Sequence, residues 1–196
     1  MLGLCLLLMW YGSAACQKKM EWFDNSVSVR WESGMGVSPE QMSQVLERQK
    51  KAGGELPSFV LWTSHYEQIL YGDLYPNPVN GEVFEYYGDI SRLQLCRFRY
   101  GYWPGDEKGC VIDEGTAHAL WGSSDVLGQT IQWNERTWYV CGVAEGMDGL
   151  AFFPAEETED MMFQGLWLNL SEEQGGTYAA EQILQKYQLP VGDMTD

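Results

Sequence analysis

The two histidines of this 196-residue chain, His65 and His118, are its best candidates for acid–base or metal chemistry. His65 follows a strand-like run that ends at Thr63, and His118 lies between two alanines in a short helical segment. Neither histidine has the i,i+4 spacing of a glutamate-containing metal motif, so the pattern does not predict a metal site. We predict that both are ordinary surface or hydrogen-bonded histidines.

Sequence motifs for nucleophilic or phosphoryl chemistry are also absent. The chain contains no Gly-x-Ser-x-Gly elbow, no Ser-x-x-Lys pair and no Walker A sequence, so it should not hydrolyse ATP by itself. Adjacent acids such as Asp106-Glu107 and Glu156-Glu157 are numerous and fall in turn-like segments, where solvated charge is expected. We therefore predict no enzymatic activity, no metal and no cofactor.

The cysteines offer two interpretations. Cys5 and Cys16 lie in an apolar N-terminal segment, whereas Cys96, Cys110 and Cys141 lie in strand-like apolar runs. None has the Cys-x-x-Cys spacing of a zinc or redox site. The last three are predicted to be small buried apolar residues, with one disulfide among them as the alternative.

Charge and composition narrow the classes of partner. Twelve Lys plus Arg against 28 Asp plus Glu give a net charge of −16, which argues against binding to nucleic acid or to an anionic membrane surface. With 45% hydrophobic residues the chain should fold, and its length favours one domain. The 14% of aromatic residues indicates a β-rich domain with amphipathic side chains at its surface or in an interface.

The first 16 residues form an uncharged, mostly apolar segment. Three interpretations remain open: a secretory signal peptide, a lipoprotein signal in which Cys16 carries the lipid, or the outer end of a truncated transmembrane helix. Each predicts a membrane-tethered or exported protein whose folded part, residues 17–196, lies outside the cytoplasm.

The elements that follow begin with a well-marked helix. Ser38, Pro39 and Gln41 have the spacing of a capping box with proline at the first helical position, and Gly53 follows the last turn. We predict a helix from Pro39 to Ala52 between a strand near Trp22–Trp31 and a buried strand at 59–63. One face of this helix would carry Met42, Val45, Leu46 and Gln49. These three elements would form one β-α-β unit.

The rest of the chain predicts a β-rich middle and a second such unit. A loop is expected over Asp73–Gly81, followed by one or two strands up to Tyr102. After residue 109 we predict a buried strand, a short helix capped by Asp113, and a β-hairpin that turns at Asn134-Glu135. A strand near 166–170, a helix over 177–188 and a strand from Leu189 complete an α+β fold. The helix over 177–188 is amphipathic, with its apolar residues on or near one face: Tyr178, Ile183, Leu184 and Tyr187. The mixed β-α-β units of this fold would form a porter-like lobe beside a β-rich middle lobe.

One stretch of this sequence carries a family pattern. Its residues are the helix-ending triplet Leu120, Trp121 and Gly122, the turn residues Asp125 and Gly128, and the strand residues Val140, Gly142 and Val143. The order resembles the extracytoplasmic core domain of MacB/FtsX-type ABC transporter permeases. We expect Gly122 to end the helix, Gly128 to allow the turn, and Gly142 to permit close backbone packing.

The resemblance implies a non-catalytic extracytoplasmic domain that engages cargo or partner proteins. Its partners would be transmembrane helices or a permease subunit and a cytoplasmic ABC ATPase, and it could form a homodimer. The alternative is a free-standing exported lipoprotein or sensor module that binds a peptide or a cationic ligand. Tyr75, Pro76, Asn77 and an exposed Trp103 are the predicted partner surface, with core packing or loop anchoring as the competing role for each.

Overall fold

The structure, a computed structural model, describes residues 26–32, 34–51, 53, 58–73, 78–93, 95–147, 149–156, 161–170 and 176–195. The predictions for the N-terminal segment 1–16 therefore fall outside the described residues. Among the helices that are described, none combines the length and apolar character needed to cross a membrane.

Strands and helices alternate at both ends of the described chain, and strands dominate its middle. The strands are β1 Ser26–Arg30, β2 Ser58–Gly72, β3 Val79–Gly88, β4 Arg97–Gly101, β5 Gly109–Asp113, β6 Thr130–Trp133, β7 Arg136–Glu145, β8 Leu150–Pro154, β9 Gly165–Asn169 and β10 Asp193–Thr195. The helices are α1 Pro39–Lys51, α2 Glu114–Trp121 and α3 Gly176–Tyr187, with a 3-10 turn at Ile90–Arg92.

The first lobe is a split β-α-β arrangement. Its strands lie in the order β10-β1-β9-β2, and β9 is antiparallel to both β1 and β2, so that β1 and β2 run parallel on either side of it. The two predicted β-α-β units, β1-α1-β2 and β9-α3-β10, are thus confirmed, each with a strand of the other inserted. The strands and both helices share one core, formed by Val27, Val29, Val37, Met42, Val45, Leu61, Phe163, Leu166, Leu168, Ala180 and Leu184 among others.

The second lobe is a closed ring of six strands. From β2 the pairing runs through β3, β8, β5 and β7 to β6, and β6 pairs back to β2 at Tyr71 and Gly72. All six strands and helix α2 contribute to one core, which includes Leu70, Val83, Cys110, Ile112, Leu120, Ile131, Trp133, Val140, Val143, Ala151 and Phe153. Closure pairs the strand edges that would otherwise be open to another chain. This ring is the predicted β-rich lobe, and β4 adds to the outer side of β7.

A chain of aromatic rings joins the two lobes. Trp167 stacks on Trp62 at 5.2 Å between ring centroids, and Trp62 lies 5.6 Å from Phe84. Phe84 stacks on Phe152 at 5.4 Å, and Phe152 meets Trp103 edge-on at 5.4 Å. Such pairs each contribute about 0.5–1.5 kcal/mol beyond the burial of their surface. Part of the high aromatic content of the sequence therefore packs at the junction between the two lobes.

The position of Trp103 contradicts one prediction. Only 8% of its surface is exposed, because its ring packs against Phe98, Tyr86 and Phe152. The expected exposure of Trp103 is therefore wrong, and core packing, the competing role, is the observed one. The neighbouring Tyr102 has 72% of its surface exposed.

The capping box of α1 is present as predicted. The backbone N–H of Gln41 donates to Ser38 Oγ at 3.2 Å, and the backbone N–H of Ser38 donates to Gln41 Oε1 at 2.9 Å. Met42, Val45 and Gln49 face the core. Leu46, which was expected on this face, is exposed instead.

Three further expectations change in detail. β2 continues to Gly72 instead of ending at Thr63, because it pairs with three different strands along its length. Tyr178 of α3 is 73% exposed, although the helical pattern placed it near the buried face. The last strand begins at Asp193, beyond Leu189, which instead packs into the core of the first lobe.

Candidate interaction surface

The short helix α2 is held at both ends by the residues that the sequence nominated. The Asp113 carboxylate is fully buried and accepts hydrogen bonds from the backbone N–H groups of Thr116 and Gly149, both at 2.8 Å. At the other end, Gly122 adopts a left-handed conformation with φ of 71°, and its N–H donates to the His118 carbonyl at 2.7 Å. The predicted sequence of strand, capped helix and glycine stop is confirmed.

The end of this helix is tied to the loop in which a partner surface was predicted. Leu120 is fully buried, whereas Trp121 donates its indole N–H to Asp73 Oδ1 at 3.2 Å. Thr130, the first residue of β6, donates its hydroxyl to Asp73 Oδ2 at 2.8 Å. Partial burial raises the pKa of Asp73, but the hydrogen bonds from Thr130 and Trp121 outweigh it, so this pKa lies below its ordinary value. Asp73 therefore anchors the start of that loop.

The turn and hairpin of the family pattern also have the expected backbone. Gly128 has φ of 81°, and its N–H donates to the Val140 carbonyl at 2.8 Å. Asn134 and Glu135 have φ of 51° and 61°, the left-handed pair required by a two-residue type I′ hairpin. Asp125 is exposed beside the turn. Cys110 to Val143 thus forms strand, short helix and hairpin, as the resemblance requires.

Gly142 is required by packing. A Cβ atom at this position would lie 2.6 Å from Cε1 of Phe98 and 2.8 Å from the carbonyl oxygen of Tyr102. Both distances are shorter than side chains tolerate, so the backbone of β7 approaches β4 and its following turn only because residue 142 has no side chain. Val140 and Val143, on either side, are buried in the ring core. The close packing predicted for Gly142 is confirmed.

Exposed apolar side chains collect next to this packed region. Tyr102 is 72% exposed, Leu127 45% and Tyr100 36%. Leu127 lies over Gly101, where an added Cβ would stand 2.9 Å from Leu127 Cδ2. We call Tyr100, Tyr102 and Leu127 the Tyr102 patch. Large amphipathic rings on a rigid support are typical of protein contact surfaces.

A second exposed pair lies at the far end of β2. Ile69 and Tyr71 are about half exposed and point away from Leu70, which is buried in the ring core. We call Ile69 and Tyr71 the Tyr71 patch. Sequence reasoning missed it because β2 was expected to end before it, although the alternation in Ile69-Leu70-Tyr71 was a usable signal. Tyr75, Pro76 and Asn77 fall outside the described residues, so their role stays a prediction.

One of the two candidate histidines is engaged in a structural contact, and the other is exposed. His65 Nε2 lies 2.7 Å from Glu85 Oε2, and its ring lies 6.0 Å from that of Trp133, so His65 is a hydrogen-bonded histidine as predicted. His118 is exposed on α2. Within the described ranges, no three His, Cys, Asp or Glu side chains are grouped to hold a metal ion.

The cysteines and Asp106 are the remaining candidate chemical groups of the described chain. Cys96, Cys110 and Cys141 are free thiols, so the disulfide alternative does not hold in this structure. Burial raises the pKa of Cys96 to about 12, which keeps its thiol protonated at neutral pH and unsuited to nucleophilic attack. Asp106 accepts hydrogen bonds from the Tyr139 hydroxyl and the Lys108 and Gly109 N–H groups, and these hold its pKa below the ordinary value.

The split β-α-β lobe joined to a six-stranded ring is the fold of MacB-like extracytoplasmic domains. The periplasmic region of MacB from Actinobacillus actinomycetemcomitans superposes with a TM-score of 0.65 at 14% identity, over 88% of this chain and 88% of that one. The extracellular domain of the noncanonic ABC-type transporter YknZ from Gram-positive bacteria superposes with a TM-score of 0.57 at 11% identity, over 88% of this chain and 99% of that one. At these identities the likeness establishes the fold.

Sequence comparison adds nothing to this result. No family model matches the chain, and no curated protein matches it.

Proposed function

We propose that this chain is a non-catalytic, extracytoplasmic domain of an ABC transporter permease-like protein. The observation that carries the proposal is the shared fold, which covers 88% of this chain in both comparisons. One of these structures is a periplasmic region, and the other is the extracellular domain of an ABC-type transporter. Membrane tethering, a permease partner and a cytoplasmic ATPase follow from this kinship as parts of the proposal.

The task of the domain, on this proposal, is to engage a partner or cargo protein and to relay motion between it and the membrane. The Tyr102 patch and the Tyr71 patch supply the contact surface, together with the predicted loop residues Tyr75, Pro76 and Asn77. The Tyr71 patch lies on ring strand β2, and the Tyr102 patch lies on and beside β4, which pairs with ring strand β7, so the ring gives both a rigid support. The acidic surface repels anionic lipid and keeps the domain off the bilayer.

The placement of the domain is tested by a fusion of the full chain to alkaline phosphatase at its C-terminus. This enzyme is active only outside the cytoplasm, where its disulfides form. Active fusion protein in the membrane fraction is expected. Inactive fusion protein at equal abundance would contradict the extracytoplasmic placement.

The partner surface is tested by a photo-crosslinking amino acid introduced into the full chain in its native cells. The positions are Tyr102, Tyr71 and, as the control, Tyr178, which is as exposed as Tyr102 and more exposed than Tyr71 but lies on α3 of the other lobe. We expect positions 102 or 71 to form adducts with an ABC transporter component, and position 178 to form none. Adducts at position 178 alone, or adducts free of transporter components, would contradict the proposed surface.

A further inference from the structure

A cavity at the end of β1 is distinct from the two patches and from the motif. It has a volume of about 370 Å³ and is lined by Arg30, Trp31, Gly34, Met35, Met162 and Gln164. This volume lies in the lower part of the roughly 300–1,000 Å³ range that is common for small-molecule sites. Its walls combine one cation, one amide and two methionines, so they suit a ligand with one polar end and one apolar end.

Arg30 is the polar end of the cavity. Its Nη2 donates to the Tyr66 hydroxyl at 3.0 Å, and its Cζ lies 5.5 Å from the ring centre of Trp62. No described carboxylate forms an ion pair with Arg30, although the chain has 28 acidic and only 12 basic residues. A guanidinium has five N–H donors, so most of those on Arg30 remain available to an anion.

Neighbouring groups reinforce this polar end. The side-chain amide of Gln164 is exposed and makes no hydrogen bond to another described residue. The indole N–H of Trp62 is buried without a hydrogen-bond partner, and it lies beside Gly165, the neighbour of Gln164. A buried donor left unpaired costs about 1–3 kcal/mol. Gln164 therefore adds an unused amide to the cavity wall that carries Arg30, and the unpaired indole N–H of Trp62 lies close to that wall without lining it.

The two methionines form the apolar end. Met35 and Met162 are 47% and 48% exposed, and methionine is flexible and polarisable enough to fit unbranched chains. Their backbones are held in place by an isolated bridge in which Val37 and Phe163 exchange N–H···O hydrogen bonds of 3.2 Å and 3.0 Å. The apolar wall is thus adaptable in its side chains and fixed in its backbone.

We propose that this cavity binds a small aliphatic monocarboxylate, with the carboxylate on Arg30 and Gln164 and the chain along Met35 and Met162. The single cation matches a single negative charge, and the net charge of −16 opposes the entry of a dianion such as phosphate about twice as strongly as that of a monoanion. The proposal does not depend on the proposed transporter role, and either can fail alone.

Isothermal titration of the full chain with octanoate tests the site, with 1-octanol as the matched neutral probe. Arg30→Gln should weaken octanoate binding roughly 10- to 100-fold, the value of a charged hydrogen-bonded contact. The control Arg48→Gln removes another arginine without an ion pair among the described residues, on α1, and should leave the affinity unchanged.

A second variant guards against a folding defect in Arg30→Gln. Met35→Glu places a negative charge on an exposed wall of the cavity, and it should weaken octanoate binding by charge repulsion while near-ultraviolet circular dichroism stays unchanged. Three results would overturn the proposal: no octanoate binding, equal affinity for octanoate and octanol, or equal octanoate affinity in the wild type and in Arg30→Gln.

Discussion

Replacing Asp113 by alanine should destabilise the domain strongly. Its buried carboxylate satisfies two backbone donors, the N–H of Thr116 in the first turn of α2 and the N–H of Gly149 before β8. Loss of the helix cap costs about 1 kcal/mol, and a stranded N–H at Gly149 costs about 1–2 kcal/mol more. The free energy of unfolding should therefore fall by about 2–3 kcal/mol.

Urea unfolding followed by tryptophan fluorescence measures this change. With a slope of about 2 kcal/mol per molar urea, the midpoint should fall by roughly 1 M or slightly more. Asp113→Asn keeps one acceptor oxygen and should lose about half as much stability. Asp125→Ala is the matched control, because Asp125 belongs to the same motif but is exposed, and its effect should stay within about 0.5 kcal/mol.

The result that refutes this reasoning is a midpoint for Asp113→Ala that equals the midpoint for Asp125→Ala. Such an outcome would mean that the carboxylate does not bridge α2 and the start of β8. The hydrogen bonds of Asp113 would then not stabilise the motif. The match between the sequence pattern and the structure at this helix would not reflect a contribution to the free energy of unfolding.

Three other perturbations have defined outcomes. Gly142→Ala forces a Cβ atom against Phe98 and should lower the free energy of unfolding, measured in urea, by about 1–3 kcal/mol, whereas the same change at the open turn position Gly105 should have little effect. Because the pKa of Asp73 is lowered by folding, its stabilisation is complete above the ordinary value of 3.8 and is lost as the pH falls below it. Thermal unfolding of Asp73→Asn should thus differ from the wild type at pH 7 but converge with it in acid; a constant difference would contradict the assignment. Ser38→Ala should cost about 1 kcal/mol by thermal melting, and no change would mean that the capping box is not formed in solution.

Local rules account for most of what the sequence predicted correctly. The capping box at Ser38, the cap at Asp113, the left-handed stop at Gly122 and the turn at Asn134-Glu135 each depend on backbone groups within a few residues. Their side chains determine the conformation directly, so a single sequence is sufficient to find them. The family pattern was recognisable because it is built from such local signals.

The same local rules could not predict the pairing between distant segments of the chain. The insertion of β9 between β1 and β2, and the closure of the ring by β6 on β2, depend on contacts between residues far apart in the chain. Trp103 and Tyr102 show the same limit on a smaller scale. Both are amphipathic aromatics in a turn, and only the position of β4 against the ring decides which one is buried.

Strand β2 belongs to both lobes, and this has a consequence for cooperativity. Its 15 residues, about 50 Å of extended backbone, pair with β9 in one lobe and with β3 and β6 in the other. If either lobe opened, it would withdraw an interior strand from its neighbour, so the two lobes share one unfolding event. The calorimetric and van't Hoff enthalpies of unfolding should therefore agree, and a pulling force applied to one lobe should unfold both lobes together.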